Sequence, residues 1–194
     1  MTDVFLEEVS VMKLIRKYSI LGLAIIALSF VSTNAQSFPL AGSTRTIEDQ
    51  VRKSVLKLPQ YEVFDWITYR VDGETVTLSG KVRNAINKSD AENRVERIPG
   101  VSRVINKIEV LPLGSFDEST RVRLYETLSR SGGLSRYLWT VNPSVRLIVD
   151  RGHVSLEGFV SNRGDYNTMN VLANGVSGVF SVTNNLIIDS ERVR

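Results

Sequence analysis

Cysteine is absent from the 194 residues, and histidine occurs once, at His153. Without a thiol there is no disulfide, thiolate metal site, thiol nucleophile or lipid-modified N-terminal cysteine. A lone imidazole with no second ligand at helical or hairpin spacing is a poor metal site, so no metal is expected. Charge of one sign is also scarce. Twenty-four Lys and Arg against 21 Asp and Glu leave a net +3, too little to expect nucleic acid as a partner. A Gly-rich phosphate loop, a nucleophile elbow and a paired-carboxylate cluster are all missing, so neither catalytic residues nor a cofactor is expected. What is present is an ordinary globular mixture, 42% hydrophobic and 23% charged.

The N-terminus has a layered composition. Met12-Lys13-Leu14-Ile15-Arg16-Lys17 is basic, Tyr18 to Val31 is uncharged, and Ser32-Thr33-Asn34-Ala35 supplies small residues before Gln36. This is the layout of a secretory signal peptide over residues 1–35, cleaved between Ala35 and Gln36. The apolar run is shorter than the roughly 20 residues that span a bilayer, although a retained N-terminal anchor is the alternative. Asp3, Glu7 and Glu8 are out of place at the head of such a signal, which points to Met12 as the start. The expected location is periplasmic or secreted.

Residues 72–110 laid over 150–188, without a gap, expose an internal repeat. Asp72, Val76, Leu78, Gly80, Val82, Asn84, Gly100, Val101, Val104 and Asn106 meet identical residues 78 positions later. Roughly two or three identities are expected by chance over that length. In copy one, Ile67, Tyr69 and Val71 alternate, as do Val76, Leu78, Gly80 and Val82, on either side of Asp72-Gly73-Glu74. The spacing predicts a β-hairpin near 66–82 and, in copy two, another near 144–160. A third alternating run closes each copy, at Val104–Val110 and Val182–Ile188.

Helices are expected between these runs. Thr46 caps the first, with Ile47, Val51, Val55 and Leu58 inward and Pro59 ending it. Its counterpart is capped by Asp117 or Ser119, with a stripe of Val122, Tyr125 and Leu128 up to Gly132-Gly133. The second helix runs from Lys88 to Arg97 in copy one and from about Gly164 to Asn174 in copy two. The fold class is α+β: two tandem α-β-β-α-β domains, each a three-stranded sheet with two helices on one face. Residues 36–43 form a flexible N-terminus, 44–111 the first domain, 112–116 a linker, 117–189 the second domain and 190–194 a tail. Copy two also carries a longer segment, Ser131 to Ser144, with Tyr137, Leu138 and Trp139.

Val76-Thr77-Leu78-Ser79-Gly80-Lys81-Val82 followed by Pro99-Gly100-Val101-Ser102-Arg103-Val104-Ile105-Asn106 resembles the BON domain family, and copy two repeats the pattern. The resemblance implies a non-enzymatic module of the cell envelope, osmotically inducible in some members, that binds phospholipid and supports envelope integrity or stress response. The alternative it implies is a soluble periplasmic chaperone-like or scaffolding protein that binds other envelope proteins. One departure is the second helix of copy two, Asp165-Tyr166-Asn167-Thr168-Met169-Asn170, which is not Ala- and acid-rich as in the family.

Several residues carry more than one reading. Gly80 and Gly158 are expected where a helix packs over the sheet, and Gly100 and Gly178 as left-handed helix caps. Asn106 and Asn184 either bond to nearby backbone or line a site. Asp72 and Asp150 are expected to bond within their hairpin turns. Lys81, Arg83, Arg94, Arg97, Arg103 and Lys107 form either a solvated face or a patch for anionic headgroups. Tyr137 and Trp139 are either core or interfacial anchors.

Overall fold

A computed structural model describes residues 46–139 and 141–189. The expected signal peptide, its Ala35–Gln36 junction, the 36–43 segment and the 190–194 tail lie outside the described residues. Both copies belong to one compact unit that begins at Thr44.

Copy one consists of α1 (Ile47–Leu56), β1 (Trp66–Asp72), β2 (Thr75–Val82), α2 (Ala85–Glu96) and β3 (Arg103–Val110). Copy two consists of α3 (Ser115–Ser129), a 3-10 turn (Leu134–Tyr137), β4 (Val145–Asp150), β5 (His153–Val160), α4 (Arg163–Asn174) and β6 (Ser181–Ile188). The sheets are separate, ordered β1-β2-β3 and β4-β5-β6. Each begins with an antiparallel hairpin, and its third strand runs parallel to the second. A parallel neighbour cannot be reached by a tight turn, so α2 and α4 serve as crossovers. From β2 onward every element of copy one recurs 78 residues later with the same bounds. One face of each sheet is covered by its two helices: Val51, Val55, Ala91 and Val95 meet Ile67, Val76, Leu78 and Ile108 in copy one. Leu124, Leu128, Met169 and Ala173 meet Val145, Leu147, Leu156 and Leu186 in copy two.

Local chemistry sets the helix ends. Thr46 Oγ1 accepts the Asp49 amide at 3.2 Å, as a capping threonine should. Proline at 59 disfavours helical backbone at Leu58, and α1 stops at Leu56. The second helices start earlier than their apolar spacing suggests, because Asn84 and Asn162 cap them through the Ile86 and Asp165 amides. The α3 expectation needs correction. Gly114 occupies the N-cap without a side-chain bond, so the helix consumes the end of the expected linker. Its buried face is Asp117, Thr120, Arg121, Leu124 and Leu128, while Val122 is exposed. Polar residues with their own partners sit on that face and mask the apolar period: Arg121 Nη2 donates to Val149 O at 2.7 Å.

The repeated glycines also have a different cause from the one expected. A Cβ at Gly80 would lie 2.1 Å from the carbonyl oxygen of Trp66, and one at Gly158 would lie 2.0 Å from that of Ser144. The obstacle is backbone, not an overlying helix, and φ is positive at both (122° and 108°). Gly100 and Gly178 follow their helices but are not the caps. They sit in turns closed by Val101 N to Ile98 O and Val179 N to Val176 O, where the third residue takes positive φ. Asn106 and Asn184 fasten the last strand to the helix behind it: their Nδ2 groups donate to Lys88 O and Tyr166 O. Their Oδ1 atoms accept the Ile108 and Leu186 amides.

Candidate functional site

The site grows out of the connection between α1 and β1. Beyond Pro59, Tyr61 N bonds to Leu58 O, and Glu62 and Asp65 close a tight loop: Glu62 N donates to Asp65 Oδ2 at 2.8 Å. Asp65 is buried and also accepts the Arg83 amide at 2.6 Å and Asn87 Nδ2 at 3.0 Å. Burial raises its pKa above the ordinary carboxylate value, against the pull of those two backbone amides. The loop thus held presents Val63 and Phe64 to the core of copy two.

Copy two receives the loop along β4, the edge strand of its sheet. Leu147 N donates to Val63 O at 2.8 Å, so the loop covers part of an edge that would otherwise be unpaired. Arg146 is buried, donates to Glu62 O at 2.7 Å and lies 4.2 Å above the Tyr61 ring. Desolvation lowers the Arg146 pKa, opposed by Tyr61 and Asp65. Phe64 meets Tyr125 edge-on at 6.2 Å.

An open cleft of about 340 Å³ lies at this junction, lined among others by Tyr61, Phe64, Tyr125, Leu138, Trp139 and Val141. The two expected aromatic anchors part company here. Tyr137 is only 5% exposed: its hydroxyl accepts the Ser161 amide at 3.0 Å and donates to Asp165 Oδ2 at 2.5 Å, so it is a core residue. Trp139 is 67% exposed and Val141 93%. Phe64 and Val141 have no counterpart among the sequence-based expectations, and Tyr125, expected on the inward stripe of α3, also lines the cleft. The signal at Phe64 and Val141 was only apolar character in connecting segments.

The six basic residues do not form one patch. Lys81 lies on the helix-free face of the first sheet and pairs across to Asp150 of copy two at 2.6 Å. Asp150 therefore makes a contact between the copies rather than the expected turn bond, and that hydrogen bond is the main cause of its lowered pKa. The amides of the turn, Arg151 and Gly152, go instead to Asp117 at 2.7 and 2.8 Å. Arg83 bridges Glu62 and Glu118 at 3.0 and 3.4 Å. Arg103 and Lys107 share the phase of Lys81 on the helix-free face. Arg94 and Arg97 belong to the helical side, where they meet Lys53 and Lys57 around a separate depression of about 290 Å³. Lys53 and Lys57, one helical turn apart at the end of α1, lie about forty residues before Arg94 and Arg97, so sequence proximity gives no sign that the four meet.

Among the described residues no group of acidic residues and histidine is placed to hold a metal ion, and no helix is long and apolar enough to cross a membrane. His153 is exposed, with Nδ1 2.7 Å from Ser181 Oγ.

A family model described as BON domain matches residues 43–112 and again 117–190. No curated protein matches the chain. Among solved structures, the chain is similar to the C-terminal domain of CdsD, a structural protein of the Type III secretion system of Chlamydia trachomatis. Identity is 16% and the TM-score 0.29, over 76% of this chain and 66% of that one, just under two thirds of its length. A second CdsD structure gives 15% and 0.27 over 76% and 95%. Likeness at these TM-scores bears on neither fold nor function.

Proposed function

The chain belongs to the BON domain family as a tandem pair, and from that premise we propose an exported, non-enzymatic binding protein that meets anionic phospholipid surfaces of a cell envelope. The observation that carries the reading is the exposure of Trp139 and Val141 at the rim of an apolar, aromatic cleft. Exposed apolar area costs about 25 cal/mol per Å² in water, and tryptophan favours the headgroup zone of a bilayer. Cations lie close by in the chain. Lys57 lines the basic depression and Tyr61 the cleft, so their Cα atoms are at most about 14 Å apart. Export by the signal at 1–35 is part of the proposal, and an envelope-fraction protein starting at Gln36 is its expected mass signature.

Tryptophan emission tests the contact in a Trp66→Phe background, which leaves Trp139 as the reporter. Anionic vesicles at low salt should shift its emission to the blue and raise its intensity. No change, with the protein folded, would remove the lipid reading.

A second reading is supported by the edge strand β6. Its eight residues, Ser181–Ile188, carry no charge and among the described residues no strand lies beyond them, whereas β3 carries Arg103, Lys107 and Glu109. An uncharged open edge is a template for another protein's strand. Under this reading, Thr183→Lys with Asn185→Lys abolishes partner binding and leaves vesicle binding intact.

A further inference from the structure

The helical side of the fold carries a depression where the first helix of each copy ends beside the end of the second. In copy one it is lined by Gln50, Lys53, Ser54 and Lys57 from α1 and its cap, and by Arg94, Arg97, Ile98 and Pro99 from α2 and the turn after it. In copy two the same place is lined by Arg123, Glu126, Thr127, Arg130, Gly175, Val176 and Ser177. The first-helix positions correspond one to one, Lys53 with Glu126 and Lys57 with Arg130. The later ones follow the 78-residue offset, Arg94 with Leu172 and Arg97 with Gly175. The fold therefore makes the hollow twice, and side chains decide its charge.

Copy two carries two cations and one carboxylate in its version, and both cations have partners. Arg130 pairs with Glu126 at 3.6 Å, and Arg123 Nε donates to Ser177 O at 2.9 Å. Copy one instead converges four cations with no carboxylate in the lining, and none of the four has a carboxylate within ion-pair distance among the described residues. The dipole of a helix C-terminus favours a cation in each last turn, here Lys53 and Arg94. That accounts for two of the four. The remaining pair adds repulsion, which a bound anion relieves.

We propose that the Lys53, Lys57, Arg94 and Arg97 depression is a binding site for an anion carrying two closely spaced phosphate charges. A phosphodiester brings one negative charge and a phosphomonoester up to two, so a diphosphate or a pair of phosphates matches four cations best. At about 290 Å³ the hollow lies at the small end of ligand sites, suited to a headgroup-sized anion. Arg supplies the planar fork that grips phosphate oxygens, and Lys supplies point charge. This deepens the lipid-surface reading by naming where an anionic group is held, but it is independent of Trp139.

The probe is inorganic pyrophosphate, titrated into the full-length protein by calorimetry, with inorganic phosphate for comparison. Pyrophosphate should bind saturably and more tightly than phosphate. Arg94→Gln with Arg97→Gln should weaken it about thirtyfold. Lys53→Glu, which installs the copy-two residue, should also weaken it, with melting curves reporting the fold. Arg103→Gln with Lys107→Gln removes the same charge from β3 and should leave binding unchanged, as should Trp139→Ala. Neutral vesicles doped with phosphatidic acid or with phosphatidylglycerol then separate the sources. If the doped vesicles compete with pyrophosphate, the ligand is a lipid headgroup. If pyrophosphate binds and vesicles do not compete, the site takes a soluble phosphate, and the lipid-surface reading then depends on Trp139 alone. Absence of saturable pyrophosphate binding overturns the proposal. So does an equal loss from the β3 pair, which would reduce the effect to net charge.

Discussion

The first amide after the second strand is that of Arg83 in copy one and of Ser161 in copy two, 78 residues later. Asp65 accepts the former at 2.6 Å and the Tyr137 hydroxyl accepts the latter at 3.0 Å. Both acceptors come from the connection between the first helix and the first strand, which is longer in copy two. The backbone demand is common, and the side chain that meets it is not. The glycines at 80 and 158 and the asparagines at 106 and 184 are identical because a nearby carbonyl or the bridge to a helix leaves no substitute. Where the fold asks only for a buried acceptor or a hollow of any charge, the copies have diverged.

The shared constraint can be broken most severely at the glycines. Gly80→Ala and Gly158→Ala should each cost about 3 kcal/mol or more, because both combine a backbone clash with positive φ. Chemical denaturation should give similar losses in the two copies, and a mild effect in either would break the equivalence. A smaller contrast is expected at the common amide. Asp65→Ala strands the Glu62 and Arg83 amides, leaves Asn87 Nδ2 with Gln60 O alone, and should cost about 3 kcal/mol. Tyr137→Phe strands chiefly the Ser161 amide and should cost about 1–2 kcal/mol by the same measurement.

The smallest effect belongs to the link between copies. A double-mutant cycle on Lys81 and Asp150 should give about 1 kcal/mol or less, since the pair is partly solvated. The Asp150 pKa is depressed in the fold, so its contribution is complete above the unfolded value of about 3.9. It is lost as pH falls through the lower folded value. Asp65 has the opposite sign: its raised pKa means the fold binds that proton more tightly, so acidification there adds stability. Stability curves of Asp150→Asn and Asp65→Asn against pH should therefore depart from the parent in opposite directions.

The α-β-β-α-β order and the hairpin positions could be read from the sequence because one offset carried every strand, and period-2 alternation needs no tertiary knowledge. The reasons behind the repeated residues could not. The carbonyl that forbids a side chain at Gly80 belongs to Trp66, across a hairpin. Tyr137 and Trp139 are two residues apart in one apolar run, yet the 3-10 turn buries one and exposes the other. Six basic residues close in sequence were divided by the sheet between its two sides. The four that converge come from helices far apart in the chain, so only the packing of α1 against α2 brings them together. The α3 stripe holds at Tyr125 and Leu128 but fails at Val122, because Arg121 and Asp117, both polar, take buried positions with long-range partners.

Co-sedimentation with neutral and anionic vesicles at low and high salt tests the central claim, surface binding through an exposed aromatic rim and a cationic hollow. The wild-type protein should pellet with anionic vesicles at low salt. Arg94→Glu with Arg97→Glu should lose most of that binding, and the deficit should shrink near 1 M salt, where the Debye length is about 3 Å. Trp139→Ala should bind more weakly at both salt concentrations, because its contribution is apolar. Folded wild-type protein that ignores anionic vesicles at low salt would contradict the account.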